Sequence, residues 1–172
     1  MFTQDVISEI TAAAQGLGIE PASLLAVAEV ESGGTAFADI DGRHEPLIHF
    51  EAHYFDRRLS DGNRALARHK GLAAPVAGAI ANPASQAARW QMLEQAAAID
   101  AKAAYESVSW GLGQVMGAHW AWLGYASVDA LVAEARSGVA GQARLMALYI
   151  DKAGLAEALR NHDWIAFAKG YN

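Results

Sequence analysis

Along most of the chain, apolar positions recur every three or four residues, the period of helices with one buried face. Residues 3–15 carry Val6, Ile7, Ile10, Ala13 and Ala14 in that pattern, behind a Thr3 cap and ahead of Gly16 and Gly18. Pro21 opens a second helix at a position where a missing N–H costs nothing. Leu24, Leu25, Val27 and Ala28 form its stripe, and Gly33 and Gly34 end it. The pattern then changes. Asp41-Gly42 is a turn signal, and the LIHF run at 47–50 is a short strand candidate. Residues 60–84, rich in Gly, Asn, Pro and single basic side chains, read as irregular or weakly helical. A long helix capped by Ser85 is expected over 85–104, with Trp90, Leu93, Ala97 and Ile99 facing inward. Shorter helices follow at 107–117, 127–136, 139–152, 155–160 and 163–170, with Ser127 and Asn161 as caps. The prediction is a mainly α protein with one small β excursion just after Glu31.

Composition narrows the class. A chain of 172 residues with 53% hydrophobic and 19% charged residues reads as one folded domain, residues 1–172, with a sizeable core. The absence of cysteine excludes disulfides, thiolate metal sites and cysteine nucleophiles. A net charge of -6 and a pI near 5.4 argue against a nucleic-acid partner. The N-terminal MFTQDVISEI has acids where a secretory signal has a basic region, and no apolar run approaches the ~20 residues that span a bilayer. Stable membrane insertion is therefore not expected.

Within this apolar background Glu31 is out of place. It falls on the last turn of an apolar helix, directly before two glycines. A carboxylate there faces the negative end of the helix dipole, and apolar neighbours disfavour its ionised form further. Both effects hold the proton on, which is what a general acid requires. Glu29, two residues earlier, projects to a different side of the helix. Elsewhere, SWGLGQVMG at 109–117 places three glycines and Gln114 among large apolar residues. Glycines inside a helix cost about 1 kcal/mol each, so a close backbone approach is the inference.

The Glu-Ser pair after an apolar helix, GLGQVM at 111–116 and the terminal Tyr-Asn occur in the order seen in goose-type lysozymes and soluble lytic transglycosylases, and resemble that superfamily. The likeness is closer to the phage endolysin family of N-acetylmuramidases. It is carried by LLAVAEVESGG (24–34), DGRHEPLIHFEAHYF (41–55), AAAIDAKAAYESVSWGLGQVMG (96–117) and WIAFAKGYN (164–172), and covers the chain from about residue 20 onward. This resemblance implies a lysozyme-like α+β fold with a small β-hairpin lobe after the catalytic helix. It also implies hydrolysis of the β-1,4 bond between N-acetylmuramic acid and N-acetylglucosamine in peptidoglycan. The rival on the same fold is a lytic transglycosylase; a non-catalytic wall-binding module is a third possibility. Family members usually run on past the Tyr-Asn pair and many carry a small wall-binding domain, whereas this sequence reads as the catalytic domain alone.

Carried over residue by residue, the resemblance makes Glu31 the general acid and Ser32 its neighbour, which fixes the turn and belongs to the substrate-binding set. Gln114 becomes an amide that binds substrate or positions the acid, and Tyr171 with Asn172 the floor near Glu31. A glycosidase also needs a group that stabilises the transition state or activates water. Asp39, Asp41, Glu45 and Glu51 lie close enough in sequence. Glu51 matches a family position, although an ion pair with Arg57 or Arg58 would equally explain it, and Asp41 fits turn chemistry with Gly42. Trp110 is expected to touch the cleft, since it stands beside the Gly-rich turn and an indole face stacks on a sugar ring.

Other signals carry no chemistry. His49 and His53 stand at i and i+4, but a zinc-protease helix needs Glu directly after the first His, so no metal or cofactor is expected. GLGQVMG lacks the Lys-Ser/Thr of a phosphate loop, and no serine sits in a triad pattern. The expected partner is the peptidoglycan glycan strand. A monomer is expected, held in the cytosol of the producing bacterial host and reaching the wall after the membrane is breached.

Overall fold

The structure, a computed structural model, describes residues 2–171. The chain opens with α1 (Gln4–Gly16), whose Thr3 Oγ1 accepts the Val6 amide at 3.3 Å. Val6, Ile10 and Ala14 are buried on one side of it. Helix α2 (Pro21–Ser32) starts at Pro21 and stops where Gly33 turns left-handed, φ 62°. Its final carbonyls are taken by the Gly33 and Gly34 amides, donated to Glu29 O and Ala28 O. These two local stop signals leave Glu31 on the last turn.

Two small sheets follow. Strands β1 (Phe37–Ile40) and β2 (Arg43–Pro46) form an antiparallel hairpin around Asp41-Gly42, with Asp39 Oδ1 accepting the Gly42 amide at 2.9 Å. Strand β3 (Ile48–Phe50) leaves this hairpin and belongs to another sheet. Two short helices, α3 (Ala52–Arg58) and α4 (Asp61–His69), come next, so part of the 60–84 stretch is regular helix. Arg64 and Arg68 both reach the buried Asp56 carboxylate, at 4.0 and 2.6 Å, which ties α4 to α3.

The long helix expected over 85–104 is two helices, α5 (Gln86–Ala97) and α6 (Ala101–Glu106). Asp100 breaks it by capping the second, its Oδ1 accepting the Ala103 amide at 2.9 Å. The helix expected over 107–117 is absent. In its place β4 (Val108–Trp110) and β5 (Val115–Met116) form a hairpin whose outer partner is β3, with Ile48 opposite Trp110 and Phe50 opposite Val108. β-Branched and aromatic side chains at 108, 110 and 115 suit a pleated surface, and the Gly-rich turn between them suits no helix.

A 3-10 turn leads to α7 (Trp120–Leu123), then α8 (Val128–Arg136), α9 (Val139–Lys152), α10 (Ala156–Arg160) and α11 (Trp164–Tyr171). Ser127 caps α8 as expected; at α11 the cap is Asp163, which accepts the Ala166 amide, and not Asn161. The fold is mainly α with small antiparallel sheets. One apolar core lies beneath the three-stranded sheet and among α5, α6 and α8, and includes Phe50, Phe55, Trp90, Trp110 and Leu131. The other joins α1, α2, α9, α10 and α11 through Ile10, Leu24, Met146, Ile150 and Phe167. Among the described residues no helix is long and apolar enough to cross a membrane.

Candidate active site

A cleft of about 730 Å³ is lined by residues from both cores' elements, including Glu31, Glu51, Gln114, Tyr149 and Tyr171. Glu31 reaches it from the end of α2. It also borders a smaller apolar recess of about 190 Å³ between α2 and α11, lined by Val27, Val30, Trp164 and Phe167. This half-buried setting raises the Glu31 pKa above its ordinary value, and burial is the cause. Among the described residues no hydrogen bond or neighbouring charge offsets it. Glu29 is exposed and outside the cleft.

Tyr171, on the last turn of α11, donates its hydroxyl to Gly113 O at 2.6 Å. Its pKa is raised well above the usual tyrosine value, first by burial and then by the negative charge of Glu31 and by Tyr149. Enclosed and bonded to that carbonyl, the hydroxyl stays a neutral donor. The turn it grips, residues 111–114, is closely packed. A Cβ on Gly113 would lie 2.6 Å from Met146 Cγ and 2.8 Å from the Tyr171 hydroxyl. Gln114 takes up a left-handed backbone, φ 45°, and its amide NH2 donates to Gly111 O at 2.8 Å and Leu47 O at 3.4 Å. Its donors hold the turn, and only the side-chain oxygen remains to face a ligand.

Glu51 is the N-cap of α3 but leaves its carboxylate unused in capping. The carboxylate lies between two histidines, 3.2 Å from His53 Nδ1 and 3.5 Å from His49 Nε2. The arginine pairing considered for it does not occur; Arg58 turns to Glu106 at 3.5 Å. The other acids fall away from the cleft. Glu45 is buried against Arg136 at 2.8 Å, Asp39 serves the hairpin turn, and Asp41 is that turn's left-handed residue, φ 52°.

Two expected contacts are not made. Trp110 is 1% exposed, its Nε1 donates to Tyr105 O at 3.2 Å, and its ring meets Trp90 and Tyr105 edge-on. It is core, because the inward face of β4 and not a helix face carries it. Ser32 does not line the cleft; its hydroxyl donates back to Ala28 O at 2.9 Å and finishes the helix. Asn172 lies outside the described residues.

Residues 20–172 match the family model of N-acetylmuramidases. The chain belongs to the N-acetylmuramidase family. Among solved structures, the Burkholderia phage AP3 endolysin is similar over 96% of this chain, with a TM-score of 0.80 and 34% sequence identity. The chain spans 62% of the length of that endolysin. No curated protein matches the sequence.

Several groups of this muramidase cleft carried no sequence signal. His119 and Tyr149 line it, their rings 5.3 Å apart, and Tyr149 meets Tyr171 edge-on at 5.2 Å. Burial, helped by the Arg58 charge, lowers the His119 pKa, and burial raises that of Tyr149, so both present neutral polar groups. Gln142, buried in the first turn of α9, accepts the Leu112 amide at 2.9 Å and donates to Ala36 O and Ala135 O, both at 3.0 Å. It binds the 111–114 turn to the segment that follows Glu31. A lone Gln in an apolar stripe signals a satisfied buried amide, but not which backbone it satisfies.

Proposed function

We propose that this muramidase cleaves peptidoglycan by hydrolysing the β-1,4 bond between N-acetylmuramic acid and N-acetylglucosamine. The observation that carries the reading is Glu31: a carboxyl at the end of a helix, half-buried in the cleft, whose proton is retained above the ordinary carboxylate range. Glu31 gives that proton to the bridging oxygen as the C–O bond to the anomeric carbon breaks. Glu51, in the same cleft, takes a proton from the water whose oxygen bonds to that carbon. Positive charge developing on the sugar is offset by the same carboxylate. Neutral Tyr171 does not compete for Glu31's role, since its hydroxyl is committed to Gly113.

A lytic transglycosylase needs only one carboxylate, because the muramoyl 6-hydroxyl replaces water. Glu51 beside the histidines favours hydrolysis. Mass spectrometry of digested peptidoglycan decides between them. Reducing muropeptides are expected; products lighter by one water would overturn hydrolysis, and Glu31→Gln with undiminished release would overturn the assignment of the acid. The protein acts as a monomer, stays in the cytosol of its producing cell and meets the wall after membrane breach. Fractionation of cells expressing it alone, with efficient export as the contrary result, tests that placement.

A further inference from the structure

Besides its two carboxylates, the cleft holds a group of permanent positive charge. Arg58, on the last turn of α3, is the only lysine or arginine among the described residues that line it. Tyr54, another lining residue, steadies the guanidinium. Arg58 Nη1 donates to Tyr54 O at 3.1 Å, and the group lies 5.3 Å from the centroid of the Tyr54 ring.

The acid paired with Arg58 does not cancel it. Glu106 Oε2 stands 3.5 Å from Arg58 Nε, while its other oxygen accepts the Trp120 indole N–H at 2.8 Å and has Lys102 Nζ at 3.8 Å. Two cations thus share one carboxylate, and Glu106 is not itself a lining residue. A guanidinium carries five N–H donors. Among the described residues only the bond to Tyr54 O commits one of them. The charge also bears on the cleft wall, where it is the second cause, after burial, of the lowered His119 pKa.

Position indicates the ligand. Glu51 directly precedes α3 and Arg58 ends it, so two helical turns, on the order of 10 Å, separate them. A muramoyl residue carries a peptide stem on its lactyl group, and stem residues bear free carboxylates. An extended chain advances about 3.3–3.6 Å per residue, so about three units of stem cover that distance. A planar guanidinium with uncommitted donors grips a carboxylate at two points.

We propose that Arg58 is a specificity-determining residue: it binds a carboxylate of the muramoyl peptide stem and favours stem-bearing glycan over strands without that anion. The proposal rests on the reading of the cleft as the muramidase site.

The test compares soluble peptidoglycan strands before and after their stem carboxylates are coupled to methylamine with a carbodiimide, which removes the charge and keeps the stem. For the parent, amidation should raise KM about tenfold with kcat little changed, as expected for one lost charge-assisted contact. Arg58→Gln should raise KM by a similar factor on native strands but by less than about twofold on amidated ones, where the contact is already gone. Arg58→Lys keeps the charge without the fork and should fall between. Arg57→Gln, exposed on the same helix, removes the same net charge and should keep the parent's preference. Equal KM for the parent on both strands would overturn the proposal without any variant. So would an Arg58→Gln loss of the same size on both strands, the result of a purely structural ion pair with Glu106, or an equal loss from Arg57→Gln. Absence of reducing muropeptides from either strand with the parent would instead remove the muramidase reading itself.

Discussion

The Tyr171 hydroxyl and the Gly113 carbonyl, 2.6 Å apart, join the last helical turn of the described chain to the β4–β5 hairpin. Through this bond the element that encloses Glu31 on one side is fastened to the one that carries Gln114. Tyr171→Phe keeps the ring and its stacking on Phe167 but removes the donor. A stability loss of about 1 kcal/mol is expected for one hydrogen bond. Turnover should fall by more than stability alone accounts for. Thermal unfolding and muropeptide release, measured together, check it.

The approach at Gly113 predicts a sharper effect. Its Cβ would press into Met146 and the Tyr171 hydroxyl at once. Met146 is flexible, but it is fully buried, so little space receives it. Gly113→Ala should cost about 1–3 kcal/mol, the range for overpacking a filled core, and displace Tyr171. Denaturant melts give the first quantity; loss of the turnover that Tyr171→Phe still retains reports the second.

Glu31 predicts opposite signs for activity and stability. Its folded pKa is raised, so near neutral pH the unfolded chain ionises it more readily than the folded one. Stability from this group is present below the unfolded pKa and declines as pH rises through the folded one. Glu31→Gln should therefore abolish turnover yet leave the Tm at pH 7 equal or higher, with the difference vanishing at pH values below the unfolded pKa. Glu29→Gln, exposed and outside the cleft, should retain most activity. An inactive but folded Glu29→Gln would count against the choice of acid.

The same raised pKa sets the alkaline side of the rate profile. Turnover should drop as pH rises through it, because the acid then enters the reaction without its proton. A stopped assay over a pH series with peptidoglycan concentration held saturating reads this limb. A rate still rising well above neutral pH would be inconsistent with Glu31 as the proton donor.

Gln142 is the structural counterpart. Gln142→Leu keeps the volume and strands the Leu112 amide and two carbonyls that its amide now satisfies. A loss of about 2–4 kcal/mol is expected for buried groups left unpaired. That corresponds to roughly 5–15 °C in Tm for a chain of this size. Calorimetry measures it directly.

Local chemistry settled much of this protein. Thr3, Pro21, Gly33 and Ser127 act within a few residues of themselves, and α1, α2, α8 and α9 begin and end where those residues, and the stripes between them, require. The position of Glu31 at a helix end follows from the same signals, and its neighbours Gln114 and Tyr171 were legible through family resemblance. What distant partners decide was not legible. Val108–Trp110 is a strand because β3, far back in the chain, offers Ile48 and Phe50 to pair with it, and that pairing turns Trp110 into the core. Periodicity over nine residues cannot register a partner sixty residues away. The environment of Glu51 is likewise tertiary: Asn82 reaches the neighbouring Phe50 backbone and His49 from an irregular segment. Helix signals are short-range hydrogen bonding and steric terms, whereas strand pairing and the partners in a side-chain network depend on which backbone the folded chain brings alongside.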